Sequence, residues 1–268
     1  MSLPTIIIGA GAWGRALAYI CHQANPGAEI ILVGRSPIRN TEDLPKVIRN
    51  SKQIKFTINL HEVVYEKSPI IIATPSQAVS DILSQLKGLD HKGDVLCTSK
   101  GFIEKPDILY PHELYQKINP NTNSFAYLYG PTFADEILND MPAQAVLASS
   151  SQQTQKTWQS KLHSAYFQTL VSTDLKGMAW CSVFKNIVAI ISGCMKACKL
   201  GYNAQALLVT HATLELSSMI QAISGDPKTA QSLAGLGDIT LSATSTKSRN
   251  FQYGQSIVQK EPQSKKTI

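Results

Sequence analysis

The sequence predicts an α/β chain: a doubly wound, mostly parallel sheet followed by a second, all-helical domain. Three observations predict it. Up to about residue 172, short β-type runs alternate with helical segments. Those runs are almost continuously apolar, as strands covered on both faces are. From about Asp174 the pattern changes to long helical periods. With 268 residues, 43% hydrophobic and 16% charged, the chain has the apolar surface for such a core and is not a disordered sequence. This reading places a sheet domain over 1–173 and a helical domain over 174–268.

The first elements are a strand at Thr5–Ile8, a helix at Ala12–Ala24 and a strand at Glu29–Val33, a βαβ unit. Between strand and helix stands Gly9-Ala10-Gly11-Ala12-Trp13-Gly14, a GxGxxG in the context that gives the string meaning. Gly9 permits the tight turn, Gly11 lets backbone approach a pyrophosphate, and Gly14 lets the helix pack closely on the strand. The free N–H groups of the helix start face the anion. The sheet domain is therefore predicted to be of the Rossmann type and to bind a dinucleotide. After the second strand, Arg35 occupies the place where an NAD-selective site carries an acidic residue, so NADP is favoured over NAD.

Further strands are predicted at Pro69–Thr74, Asp94–Thr98, Phe125–Tyr129 and Ala145–Ala148, with a helix at Ser76–Leu86. Long helices follow at Leu175–Lys199 and Ala204–Ser224, with Gly201 and Gly225 placed as C-terminal stops. Gly235–Asn250 is rich in Gly, Ser and Thr and reads as too polar for a core element. Gln259–Ile268 reads as a frayed or shortened ending.

Composition narrows the partners. The formal charge of +6 is spread along the chain without a basic block, which suits an anionic small molecule and not nucleic acid. Five cysteines without a CxxC pair offer neither a disulfide framework nor a zinc clip, so a reducing cytoplasm and no metal are expected. Cys194 and Cys198, four apart on a predicted helix, read as core packing. The N-terminus has no basic region or cleavage site, and no apolar run approaches the roughly 20 residues of a bilayer span. Neither secretion nor membrane insertion is expected.

Reduction of a ketone by hydride needs a group that protonates the developing alkoxide and serves as base in reverse. Lys185, in Val183-Phe184-Lys185-Asn186-Ile187, lies on an otherwise apolar helix, where an ammonium is costly unless it points into a polar cleft. Ser99-Lys100-Gly101 and Gly130-Pro131-Thr132-Phe133-Ala134 each follow a predicted strand, at the sheet edge where ligands bind.

These motifs, with Asp135-Glu136, Gly235-Leu236-Gly237-Asp238 and Ser248-Arg249-Asn250, resemble in order those of the bacterial NAD(P)-dependent glycerol-3-phosphate dehydrogenases. The resemblance runs from residue 9 to residue 250. It implies Lys185 as general acid/base and Lys100 as a residue near nicotinamide and substrate that polarises the carbonyl. It further implies Gly130 and Thr132 as substrate-loop contacts and Asp238 as a substrate-site carboxylate. Ser248, Arg249 and Asn250 become the phosphate clamp, Arg249 also reaching the cofactor. Ala12, Trp13, Arg35, Lys100 and Ala134 become cofactor contacts beside Gly9, Gly11 and Gly14. A guanidinium fork with hydroxyl and amide donors suits a phosphate.

The implied reaction interconverts sn-glycerol 3-phosphate and dihydroxyacetone phosphate at the entry to glycerophospholipid synthesis, in a possible homodimer. Family members continue past the Ser-Arg-Asn motif with further helices and a cofactor-contacting acidic residue; the chain ends at Ile268, as a C-terminally short member. Two alternatives stay open: a nucleotide-binding remnant without turnover, and a dehydrogenase of another small hydroxy acid or ketone.

Overall fold

A computed structural model describes residues 3–37, 45–103, 109–120, 122 and 124–260. The chain divides into two compact units, 1–128 with 132–175, and 129–131 with 176 onward.

The first unit is built on one eight-stranded sheet. Its strands are β1 (Thr5–Ile8), β2 (Ile30–Val33), β3 (Ile54–Thr57), β4 (Ile70–Ile72), β5 (Val95–Cys97), β6 (Phe125–Tyr129), β7 (Ala143–Ala148) and β8 (Phe167–Ser172), in the order β3-β2-β1-β4-β5-β6-β7-β8. β1 pairs in parallel with both β2 and β4, so the winding direction reverses between β1 and β4. In a doubly wound sheet, that reversal opens the crevice that takes ligands. β4 with β5 and β5 with β6 are likewise parallel.

At the far end, the Ser149 hydroxyl just beyond β7 donates to the Phe125 carbonyl at the start of β6 (2.7 Å). β7 therefore runs against β6, and β8, parallel to β7, runs with it. The sheet is mostly parallel, with a reversed pair at one edge.

Helix α1 (Ala12–Ala24) covers one face of the sheet with Ala16, Leu17 and Ile20, where Trp158 and Leu162 join the same core. The short helices α2 (Lys46–Arg49) and α3 (Leu60–Val63) precede α4 (Val79–Gly88), and α5 (Pro111–Ile118), α6 (Ala134–Ile137) and α7 (Gln152–Leu162) follow it. β3 and β8 lie at the two edges and escaped the sequence reading. In Ile54-Lys55-Phe56-Thr57 only Ile54 is buried, and β8 alternates buried with exposed residues over much of its length. A search for continuously apolar runs finds interior strands and passes over edges.

The second unit is helical: α8 (Leu175–Ala197), α9 (Gly201–Ala222), a 3-10 turn at Pro227–Gln231, a π turn at Leu233–Gly237, α10 (Asp238–Thr244) and α11 (Arg249–Lys260). α8 and α11 touch through Gly193 and Gly254; a Cβ on either would overlap a carbonyl oxygen of the other helix, Phe251 O or Ile190 O. Four expectations change here. α8 is long and apolar enough to cross a membrane by length and composition, although no such run was expected; half of its apolar window is buried inside the protein.

Gly201 and Gly225 are not the left-handed stops. Lys199 (φ 57°) and Ser224 (φ 59°) take that conformation, with Leu200 N–H donating to Met195 O (3.1 Å) and Gly225 N–H to Ile220 O (2.9 Å). Gly201, itself at φ 84°, opens α9 instead. Cys198 is exposed and not core, while Cys194 is partly buried. Most significantly, α10, within the stretch read as too polar for a core, buries Asp238, Ile239, Ser242 and Ala243. Its polar residues enter the interior because they bond one another and Lys185. Residues 261–268 of the expected frayed ending lie outside the described residues.

Candidate active site

In the first unit the glycine turn is built as its sequence requires. Gly9 has φ 117°, and a Cβ there would lie 2.5 Å from the Ala73 carbonyl oxygen at the end of β4. A Cβ on Gly14 would overlap the Gly9 carbonyl. Gly11 differs: a Cβ there would meet nothing within 4 Å, so the space above it is open. It caps α1 without any side-chain hydrogen bond, leaving helix N–H groups facing that space. Ala12 follows exposed, and Trp13 packs partly buried against the core.

Arg15, not singled out from sequence, donates from Nε to Ala10 O (3.0 Å) and braces the turn. The Thr74 hydroxyl, one residue beyond Ala73, is buried with no hydrogen-bond partner among the described residues. A dinucleotide fits these residues: open space over a bare helix start takes a pyrophosphate, and an orphaned hydroxyl beside it has a bond to offer. Arg35 is exposed just past β2 and makes no ion pair with a described residue.

Lys100 follows β5 and is half-buried. Its turn is fastened to β4, with the Ser99 hydroxyl donating to Thr74 O (2.6 Å) and Thr98 Oγ1 to Ile72 O (3.0 Å). Gly101 has φ 130°, and a Cβ on it would stand 2.8 Å from Ser76 Oγ. Thr132 is half-buried and Ala134 opens α6. Burial pushes the Cys97 thiol, the last residue of β5, up to about 12, so it takes no part in acid–base chemistry near neutrality.

In the second unit, Lys185 on α8 donates from Nζ to Asp238 Oδ1 (3.2 Å) and to Ser242 Oγ (3.1 Å), and Ser242 Oγ donates to Asp238 Oδ1 (3.3 Å). The Lys185 side chain is 14% exposed and that of Asp238 3%, so the ion pair is nearly dry while the amine keeps an outlet. Asp238 sits in the first turn of α10, straight after the π turn. Gly235 makes that turn possible, since a Cβ there would overlap the Ala230 carbonyl. Gly130 is buried in this unit, and its neighbour Pro131 packs against Gly237, 3.4 Å from where a Cβ would be.

Asn250 Nδ2 donates to Asn186 Oδ1 (2.8 Å), tying the start of α11 to α8 beside Lys185. Ser248 Oγ accepts from Phe251 N–H (3.4 Å) as the cap of α11, and Arg249 is exposed. Ser242 was missed from sequence. Its signal was a spacing of four from Asp238, legible only once this stretch is recognised as a helix.

Two family models match the chain: NAD-dependent glycerol-3-phosphate dehydrogenase N-terminus over residues 4–155 and C-terminus over 174–267. Among curated relatives, glycerol-3-phosphate dehydrogenase [NAD(P)+] of Hydrogenovibrio crunogenus is 31% identical over 97% of this chain and 78% of its own length. That of Haemophilus ducreyi is also 31% identical, over 96% and 78%. Among solved structures, glycerol-3-phosphate dehydrogenase from Coxiella burnetii superposes with a TM-score of 0.86 at 28% identity, covering 96% of this chain and 80% of that one.

Proposed function

Because the chain belongs to the NAD-dependent glycerol-3-phosphate dehydrogenase family, we propose that it interconverts sn-glycerol 3-phosphate and dihydroxyacetone phosphate at the entry to glycerophospholipid synthesis. The observation that carries this reading is Lys185, an almost dry ammonium held by Asp238 and Ser242. A nicotinamide dinucleotide, when bound, supplies or takes up the hydride. Lys185 gives its proton to the carbonyl oxygen during reduction and recovers one from the hydroxyl in oxidation. Asp238 holds and aims the amine, and Ser242 fixes its second hydrogen.

Lys100 polarises the same carbonyl. Arg249 and Asn250 hold the phosphate, with Ser248, whose oxygen caps α11, contributing its hydroxyl hydrogen. Gly130 and Thr132 contact the substrate, and Ala134 the cofactor. Gly11, Ala12 and the start of α1 bind the pyrophosphate with Trp13 alongside, and exposed Arg35 meets a ribose 2′-phosphate, which favours NADP.

The test follows reduced-nicotinamide absorbance with dihydroxyacetone phosphate. Turnover is expected with both dinucleotides, faster with NADPH, and Lys185→Ala should lower kcat by about 10²–10⁴-fold. Arg35→Ala should remove most of the NADPH preference. Dinucleotide binding by folded protein without any turnover would overturn the reading in favour of a nucleotide-binding remnant.

A further inference from the structure

Lys100 stands on a loop, and a four-carbon side chain is only as well placed as the backbone beneath it. On one side that backbone is fastened through Ser99 to Thr74. The other side leads into a run of aromatic rings. Phe102 meets Tyr110 edge-on (centroids 5.4 Å, planes at 64°), Tyr110 stacks on His112 (5.4 Å, 13°), and His112 meets Tyr127 edge-on (5.7 Å, 85°). Tyr127 lies fully buried in β6 and abuts Phe125 (5.0 Å, 86°), which packs on Tyr115 (5.2 Å).

Hydrogen bonds lock the middle of the run. The backbone N–H of His112 donates to the Tyr127 hydroxyl (3.0 Å), which also faces His112 Nδ1 at 3.0 Å. Tyr110 N–H donates to Glu113 Oε2 (3.1 Å) at the start of α5. Ile103 and Leu109 exchange two backbone hydrogen bonds, each 2.9 Å, which close the chain back onto Tyr110.

We propose that this ladder, Tyr127–His112–Tyr110–Phe102, is the positioning device for Lys100: it carries the rigidity of the sheet core to the loop two residues beyond that lysine. The role of Lys100 rests on the function proposed above; the mechanical claim does not. Stacked and edge-on rings with few rotatable bonds hold position better than an aliphatic contact of equal size. With Ser99 holding one side and Phe102 the other, the backbone of Lys100 and Gly101 is clamped at both ends. Removing the ring at 102 loosens one end, which then rests on the Ile103–Leu109 pairing without its link to the sheet core through the ladder. None of the four ladder residues is assigned contact with substrate or dinucleotide, so all are positioning residues.

The experiment compares the full chain with Phe102→Ala, Phe102→Leu and Phe102→Tyr by three readouts: hydrogen exchange of residues 99–103, dinucleotide affinity by calorimetry, and kcat with dihydroxyacetone phosphate. In Phe102→Ala, exchange over 99–103 should quicken about tenfold while β5 and β6 keep their protection. Its kcat should fall about tenfold or more, with dinucleotide affinity, to which Lys100 is one contact among several, falling by less than kcat. Phe102→Tyr should restore both, and Phe102→Leu, which keeps bulk without a ring, should fall between.

Unchanged exchange over 99–103 in folded Phe102→Ala, or in Phe102→Leu should the alanine variant not fold, overturns the proposal. Quickened exchange with undiminished kcat overturns it too. If the wild-type chain turns nothing over, the assigned reaction fails. Acylation of the Lys100 amine, read by peptide mass spectrometry, then replaces kcat: altered reactivity in Phe102→Ala supports the ladder and identical reactivity refutes it.

Discussion

The hydroxyl of Thr74 is buried and unbonded among the described residues, beside a glycine turn whose shape is fixed by Gly9 and Gly14. An orphaned buried hydroxyl costs about 1–3 kcal/mol, so Thr74→Val should stabilise the ligand-free protein while weakening its dinucleotide affinity. Thermal melts and calorimetry read the two signs separately; a variant that both melts earlier and binds as before would contradict the assignment. Gly9→Ala should act differently. It meets the Ala73 carbonyl at 2.5 Å in a left-handed conformation, and should cost about 1–3 kcal/mol in a urea titration and dinucleotide binding as well. Residues of this kind were legible in sequence because a glycine string between strand and helix has few other uses. Thr74 was not, since its significance lies in a missing bond.

At the scale of elements, interior strands could be read because burial on both faces leaves a continuous apolar record, and the two long helices because their apolar residues recur over many turns. β3, β8 and α10 could not. The edge strands are interrupted by polar residues, Lys55 in β3 and Gln168 and Thr169 in β8, and α10 buries polar residues that satisfy each other, so hydropathy alone misreads it. The left-handed positions that end the helices lie one or two residues before the glycines the sequence points to, because Lys199 and Ser224 bear the strain. Lys199→Gly and Ser224→Gly should each therefore stabilise the second unit by about 1 kcal/mol. Differential scanning calorimetry would show the shift, of about 4–8 °C for a unit of this size. No gain in either variant would mean that the lost lysine or serine contacts matter as much as the backbone.

At the scale of the whole molecule, His91 links the sheet to pH. It is 5% exposed, and its Nε2–H donates to the Ser68 carbonyl (2.7 Å). Burial lowers its pKa, so on acidification the unfolded chain takes up that proton first. The stability His91 confers is full above about pH 6.5, its unfolded value, and is lost as pH falls through the lowered folded value. Melts across that window should show a smaller loss for His91→Gln, which keeps a donor and does not titrate; equal slopes would assign the acid loss to other groups.

The chain also passes between its two units more than once. Residues 129–131 cluster with the helical unit although they continue β6, and Pro131 rests against Gly237 ahead of the Asp238 that holds Lys185. No single cut in the gene can therefore deliver both halves intact. A fragment ending near residue 175 carries away the proline on which the other half leans, and co-expressed pieces should complement poorly unless the second is given a copy of that tripeptide.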